Sequence, residues 1–109
     1  MQKQKQQEEE EQEQRVQKEQ EIIVGRFFEA MYAIINNKET YKLRGKATFC
    51  KRCDINRGNL YQLEQDMSRG IFKAAWLTYL VRRFGVSAHW LLTGDGPMMK
   101  KPVGRPKNS

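Results

Sequence analysis

Two cysteines and a run of hydrogen-bonding side chains lie within one short segment of the chain, KATFCKRCDINRGNLYQLEQD, residues 46–66. Cys50 and Cys53 have the C-x-x-C spacing found in zinc sites and in thiol–disulfide redox sites. The polar residues that follow suit a different chemistry. Arg57 can form two hydrogen bonds to a guanine, and the amide side chains near it can do the same for adenine. The segment is therefore either a metal or redox site, or a surface that binds nucleic acid.

The two cysteines are better explained as core residues than as ligands. Their i, i+3 spacing places both on one side of a helix, where free cysteine behaves as a small apolar residue. A structural zinc needs four ligands, and beside these two thiols the chain offers His89 as its one imidazole. Thioredoxin-like redox chemistry would need a βαβ context, which the sequence lacks. We therefore expect no metal and no cofactor, and we expect His89 at the surface.

An all-α fold follows from the apolar spacing along the rest of the chain. No segment alternates with period two for long enough to form a sheet strand. Two short helices, joined at DIN, precede the pattern of IFKAAWLTYLVRRF, and Ser87 and Gly94 bracket a last helix as N-cap and C′ residues. The sequence thus predicts a compact five-helix domain over residues 22–98. The five predicted helices begin near Glu21 with an apolar face from Ile22 to Ile35, at about 46, at about 57, at about 71 and after Ser87. The predicted aromatic and leucine core residues are Phe27, Phe28, Phe72, Trp76, Phe84, Trp90, Leu91 and Leu92.

Charge separates the N-terminal segment from the body. Residues 1–21 carry four Lys/Arg against seven Glu, and Val16 is their one apolar residue after Met1. This Gln/Glu-rich extension is predicted to be a frayed helix or disordered, with a coiled-coil dimeriser as a further alternative. Residues 22–109 carry sixteen Lys/Arg against six Asp/Glu, a net charge of +10. That excess favours a polyanionic partner, nucleic acid before an anionic membrane, although solubility alone also explains it.

Within residues 22–98 the chain resembles the Cro/phage-repressor class of helix-turn-helix DNA-binding domains. The resemblance is carried by FCKRCDINRGNLYQLE, as the two-helix motif, and by FGVSAHWLLTGDGPM, as the terminal helix with its closing turn. Asn56 stands where the second helix needs an N-cap, and Asp54 stands at the turn position that takes a left-handed backbone. Asp54 replaces the usual glycine, and Lys46 stands where many members have glutamine. The sequence lacks the dimerisation and self-cleavage domain of the longer repressors, so the formation of a homodimer stays open.

This resemblance implies that the second helix of the motif lies in a major groove of double-stranded DNA, with its N-terminal residues against base edges. Gly58 would remove bulk where the helix approaches the bases, and Tyr61 would pack against a thymine methyl group or bond a phosphate. The predicted base-reading residues are Asn56, Arg57, Gly58, Asn59, Tyr61 and Gln62. The predicted phosphate contacts, for each of which an ordinary solvated charge is an equal alternative, are Arg44, Lys46, Lys51, Arg69 and Lys73.

The C-terminal segment, residues 99–109, is predicted to be a disordered basic tail. Its Gly-Arg-Pro resembles the core of the AT-hook, which places an arginine in a narrow A·T minor groove. Val103 replaces the first arginine of that pattern, so the alternative is a generic basic tail that adds phosphate contacts. The predicted tail contacts are Lys100, Lys101, Arg105 and Lys107.

Together these features predict a sequence-specific DNA-binding protein, a transcriptional regulator of repressor type from a phage or mobile element, located in the cytoplasm with the nucleoid. We expect no catalytic activity, since no Ser/His/Asp set, phosphate-binding glycine loop or paired buried carboxylates are present in the sequence. No small-molecule ligand is evident, and no run of about 18 apolar residues predicts a membrane span. Two alternatives stay open: a DNA-binding accessory factor of a mobile element, and a protein-interaction adaptor without sequence-specific DNA binding.

Overall fold

The computed structural model describes residues 2–100, and these form an all-α protein. No β-strand occurs among them, and one isolated antiparallel bridge joins Val86 to Met99. The sequence predicted five helices; the additional helix is a single turn, too short to show an apolar period. Residues 101–109, with the predicted contacts of the basic tail beyond Lys100, lie outside the described residues. The helices are α1 (Gln2–Asn36), α2 (Lys38–Tyr41), α3 (Lys46–Cys53), α4 (Arg57–Gln65), α5 (Ala75–Phe84) and α6 (Ala88–Thr93).

The first helix is much longer than its apolar pattern indicated, because the charged N-terminal segment is helical and continuous with it. The 35-residue α1 would measure about 52 Å, and the molecule is 63 Å in its longest dimension. Residues 4–20 are all exposed. Their helix is favoured by the high propensity of Gln, Glu, Lys and Arg and by pairs such as Glu11 and Arg15 at i, i+4 spacing. Of the helical and disordered alternatives for this extension, the structure has the helix, and the coiled-coil dimeriser stays a prediction.

The core is organised around the apolar face of α1. The Phe27 side chain is fully buried, and its ring makes edge-to-face contacts with Phe28, Phe49 and Phe72 at centroid distances of 5.3, 6.3 and 5.6 Å. The Trp76 ring lies 5.8 Å from it. Because Phe49 belongs to α3 and Trp76 to α5, this one side chain joins three helices. Such aromatic pairs contribute beyond the apolar area that they bury.

Most of the predicted core residues are buried, but Leu92 is not. Its side chain is 56% exposed, whereas Trp90 and Leu91 are buried. The reason is the short length of α6, whose inner face is filled by those two neighbouring residues, so that the next residue points away. Ile22 is also exposed, at 47%, since α1 leaves the core at that level. Phe72 is half-buried against the core.

Several helices end at a left-handed residue. Gly94, which follows α6, has φ 82° and therefore suits glycine, as the sequence indicated. Arg26 of α1 reaches the same helix end, where its Nη1 donates a hydrogen bond to the Leu91 carbonyl at 3.1 Å. A Cβ atom at Gly94 would lie 2.8 Å from Arg26 Nη2. Glycine at this position suits the left-handed backbone and leaves room for the Arg26 guanidinium at the carbonyl end of the helix.

We expect Gly94→Ala to lower the free energy of unfolding more than Gly85→Ala. Gly85 has φ 76°, and no atom lies within 4 Å of an added Cβ. The loss for Gly85→Ala therefore measures the strain of the left-handed backbone alone, about 1–2 kcal/mol. Gly94→Ala should lose about 1 kcal/mol more because it displaces Arg26 from Leu91. Denaturant unfolding measures both losses, and in an Arg26→Ala background the difference between them should disappear. Equal losses in the original background would show that the arginine contact does not constrain this position.

Candidate nucleic-acid interface

Helices α3 and α4 are joined by a tight three-residue turn. Asp54 has φ 57° and ψ 44°, the left-handed conformation predicted for it, and the Ile55 N–H donates to the Cys50 carbonyl at 2.9 Å. Ile55 is buried beneath the turn. Asn56 caps α4, since its Oδ1 accepts a hydrogen bond from the Asn59 N–H at 2.9 Å. The predicted conformations of Asp54 and Asn56 are both confirmed.

The inner surfaces of α3 and α4 are packed into the core. Cys50 and Cys53 are both free and buried, which confirms their prediction as core residues. Burial raises the pKa of the Cys53 thiol to about 11 and also raises the pKa of Cys50, so both thiols are protonated and weakly nucleophilic at neutral pH. Among residues 2–100 no three His, Cys, Asp or Glu side chains are grouped so that they could hold a metal ion. His89 is exposed, as expected. The other buried residues of this two-helix unit are Phe49, Ile55, Leu60 and Leu63.

The outer surface of α4 is a continuous polar face. At 100° per residue its exposed positions fall within an arc of about 140°, opposite Leu60 and Leu63. Gln65 belongs to this face and was missed by the sequence analysis, although its i+4 spacing from Tyr61 could have indicated it. The exposed residues of the face are Arg57, Gly58, Tyr61, Gln62 and Gln65.

Two of the predicted base-reading residues lie at the edge of this face. Asn59 is half-buried. Asn56 is exposed, but its side-chain oxygen is already engaged in capping α4, which leaves its amide N–H groups for any other partner. The structure therefore brings together four of the six predicted residues on the outer surface and gives the two asparagines a place at the start of the helix.

Side chains of α1 and α3 bind a carboxylate near the C-terminal end of α4. The Tyr32 hydroxyl of α1 donates a hydrogen bond to Glu64 Oε2, and Lys46 Nζ of α3 lies 3.0 Å from Glu64 Oε1. The Lys46 ammonium also lies 5.7 Å from the centroid of the Tyr32 ring. The sequence analysis missed this group because its members are 14 and 18 residues apart and meet only through the fold. Lys46, predicted as a phosphate contact, thus has a structural partner; a phosphate contact stays a prediction.

The pKa shifts of these groups follow from their contacts. Partial burial would raise the pKa of Glu64, but the hydrogen bonds from Tyr32 and Lys46 outweigh it and hold that pKa below its usual value. The hydrogen bond to Glu64 raises the pKa of Lys46, and it also raises the pKa of Tyr32. The pair is charged at neutral pH, and each partner favours the charged form of the other.

A basic cleft lies at the start of α3. It has a volume of about 380 Å³ and brings together the predicted phosphate contacts Arg44 and Lys51 with Lys42 and Thr48. Lys42 was missed by the sequence analysis; its left-handed φ of 58° lies in the connection between α2 and α3, which carries no periodic signal. In the part of the chain that the structure describes, no side chain caps α3, whose N-cap is Gly45. The free N–H groups of its first turn add to the attraction for an anion.

The remaining predicted cations lie at different places in the fold, and one of them contacts α4. Arg69 Nη1 donates to Gln62 Oε1 at 3.2 Å, so it lies beside the outer face of α4. Lys73 is exposed in the segment before α5. Lys100, predicted as a tail contact, is exposed, and its backbone N–H donates to the Gly85 carbonyl at 2.9 Å. In the sequence, the predicted phosphate contacts therefore lie both before α4, at Arg44 and Lys51, and after it, at Arg69 and Lys73.

In comparisons with known proteins, no protein-family model, curated protein or solved structure matches this chain. None of the helices within residues 2–100 has the length and apolar content needed to cross a membrane.

We expect Glu64→Gln to lower the free energy of unfolding by about 1 kcal/mol at pH 7, a modest value because the Lys46 and Glu64 side chains are 41% and 22% exposed. The pKa of Glu64 is lowered on folding, so its contribution is complete above the unfolded-state pKa of about 4.3 and is lost as the pH falls toward the folded-state pKa. Urea unfolding between pH 7 and pH 3 measures this.

The matched control is Glu29→Gln, since Glu29 is exposed on α1. Its effect should stay within about 0.5 kcal/mol at every pH. A loss for Glu64→Gln that does not change with pH would contradict the assignment of the effect to the charged carboxylate.

Proposed function

We propose that this protein binds double-stranded DNA sequence-specifically by placing α4 in the major groove, and that it acts as a transcriptional regulator of repressor type. The observation that carries the proposal is the outer face of α4. It presents Arg57, Gly58, Tyr61 and Gln62 to solvent on the side of α4 opposite the buried Leu60 and Leu63. The side chains of Arg57, Tyr61 and Gln62 supply the donors and acceptors that base edges require.

The dimensions of α4 suit a major groove. A helix with its side chains is about 10–12 Å across, and the groove of B-DNA is about 12 Å wide. Arg57 is the first residue of α4 and Gly58 the second, so the N-terminal end of the helix carries a guanidinium beside a position without a side chain. This arrangement allows close approach of the helix end to a base pair, with Arg57 in reach of guanine O6 and N7.

The cations of the body support the same orientation. The cleft with Lys42, Arg44 and Lys51 at the start of α3, and Arg69 beyond α4, would lie against phosphates on either side of the groove. The acidic part of the chain is the exposed N-terminal half of α1, outside the α3–α4 unit. The repressor role rests on the resemblance to the phage-repressor class, and an accessory factor of a mobile element would use the same surface.

The test begins with selection of bound duplexes from a random-sequence pool. We expect enrichment of a site that contains a guanine. On that site Arg57→Ala should weaken binding by about 1–3 kcal/mol, with little change on random duplexes, because a base contact is lost. Lys51→Ala is the matched control: a lost phosphate contact should weaken binding to both duplexes equally and reduce the log–log salt slope by about 0.9.

Two outcomes would contradict the proposal. A pool without enrichment, together with equal affinity for all duplexes, would favour an adaptor that meets other partners. Equal loss on selected and random duplexes for Arg57→Ala would show that this side chain contacts the DNA backbone and that the specificity lies elsewhere.

A further inference from the structure

A shallow apolar depression opens on the outer surface of α4 beside Arg57. It has a volume of about 310 Å³ and is lined by Lys46, Arg57, Gly58, Leu60 and Tyr61. We call it the α4 depression. Leu60 is almost fully buried and forms its floor, while the Tyr61 side chain is 60% exposed and forms one side. An apolar surface therefore lies at the edge of this face nearest α3, beside the side chains that are proposed to meet base edges.

The charged residues around the α4 depression contribute mainly their aliphatic parts. The Lys46 ammonium is bound to Glu64, so its methylene chain is the part left to line the depression. Gly58 leaves the opening free. A Cβ atom at this position would lie 3.2 Å from Asn56 Oδ1, the atom that caps α4. Glycine at this position thus preserves both the cap and the open space.

The exposed tyrosine is the second reason to expect an apolar partner here. Tyr61 is one of the few large side chains with apolar surface that the fold leaves exposed, and it stands on an otherwise polar helix face. A surface ring of this kind indicates a contact with a partner. In the major groove the apolar group on a base edge is the 5-methyl group of a pyrimidine, which thymine carries. Cytosine carries the same group after methylation at C5.

We propose that the α4 depression binds the 5-methyl group of a pyrimidine in a base pair next to the guanine that Arg57 bonds. This inference rests on the proposed function and adds to its specificity. Successive base pairs are about 3.4 Å apart, and the Cβ atoms of Arg57 and Tyr61, four residues apart, are about 5–6 Å apart. The space between these two side chains is therefore within reach of the neighbouring base pair.

The experiment changes the DNA before it changes the protein. The guanine bonded by Arg57 is identified as the position at which Arg57→Ala loses its base preference. At the adjacent pairs of the selected site, binding is compared for thymine against uracil and for 5-methylcytosine against cytosine, each opposite its normal partner. We expect the methyl group to strengthen binding about fourfold, the value of one buried methyl or methylene group, at one of these positions.

The two pairs of bases distinguish the sources of the methyl group. A similar ratio for both would show that the depression binds the methyl group of either base. A ratio for thymine alone would assign the site to a thymine. Ratios of one at every adjacent position, with sequence selectivity intact, would overturn this inference and leave the proposed function standing, whereas loss of all sequence selectivity would overturn the function itself.

Variants of Tyr61 connect the effect to the depression. Tyr61→Ala removes one side of it and should bring the methyl ratio close to one, while Tyr61→Phe keeps the ring and should keep the ratio near four. Because the side chain is exposed, neither change should alter folding, which circular dichroism checks. A Tyr61→Ala protein that still shows the fourfold ratio would contradict the assignment.

Discussion

The packing of α3, α5 and α6 on the apolar face of α1 is the interaction on which the rest of the structure depends. Phe27 contacts the ring of Phe49 in α3 and that of Trp76 in α5, and Arg26 bonds the carbonyl end of α6. Tyr32, on the same helix, bonds Glu64 of α4. One helix therefore fixes the positions of all the others. It also decides which side of α4 is buried, and so which side is left for a partner.

The outer face of α4 contains residues that folding alone does not favour. Gly58 lowers the helix propensity of the first turn, although its missing side chain also leaves the Asn56 cap undisturbed, and the exposed Tyr61 ring gains little from the core. An exposed aromatic side chain without a structural return is expected at a functional site. The same reasoning explains why the buried thiols of α3 have no such role: Cys50 and Cys53 fill space in the core.

The parts of the fold that could be predicted from the sequence are those with local signals. The bounds of α3 and α4, the left-handed Asp54 and the caps at Asn56 and Ser87 depend on residues close in sequence. The length of α1 could not be predicted, since its first half has no apolar face to indicate a helix. The prediction of Leu92 as a core residue was wrong, because apolar spacing does not show how many positions a six-residue helix can bury. The Tyr32–Lys46–Glu64 group and the basic cleft arise from tertiary contacts, which no local pattern encodes.

The central claim is that DNA contacts the outer face of α4, and backbone amide NMR of the full chain titrated with a selected duplex tests it most directly. The account predicts the largest chemical-shift changes in residues 57–62 and in the basic cleft at residues 42–51. Amides of the exposed part of α1, residues 4–20, should change little. Changes confined to α1 or to the exposed surface of α5 and α6, with α4 unaffected, would contradict the claim.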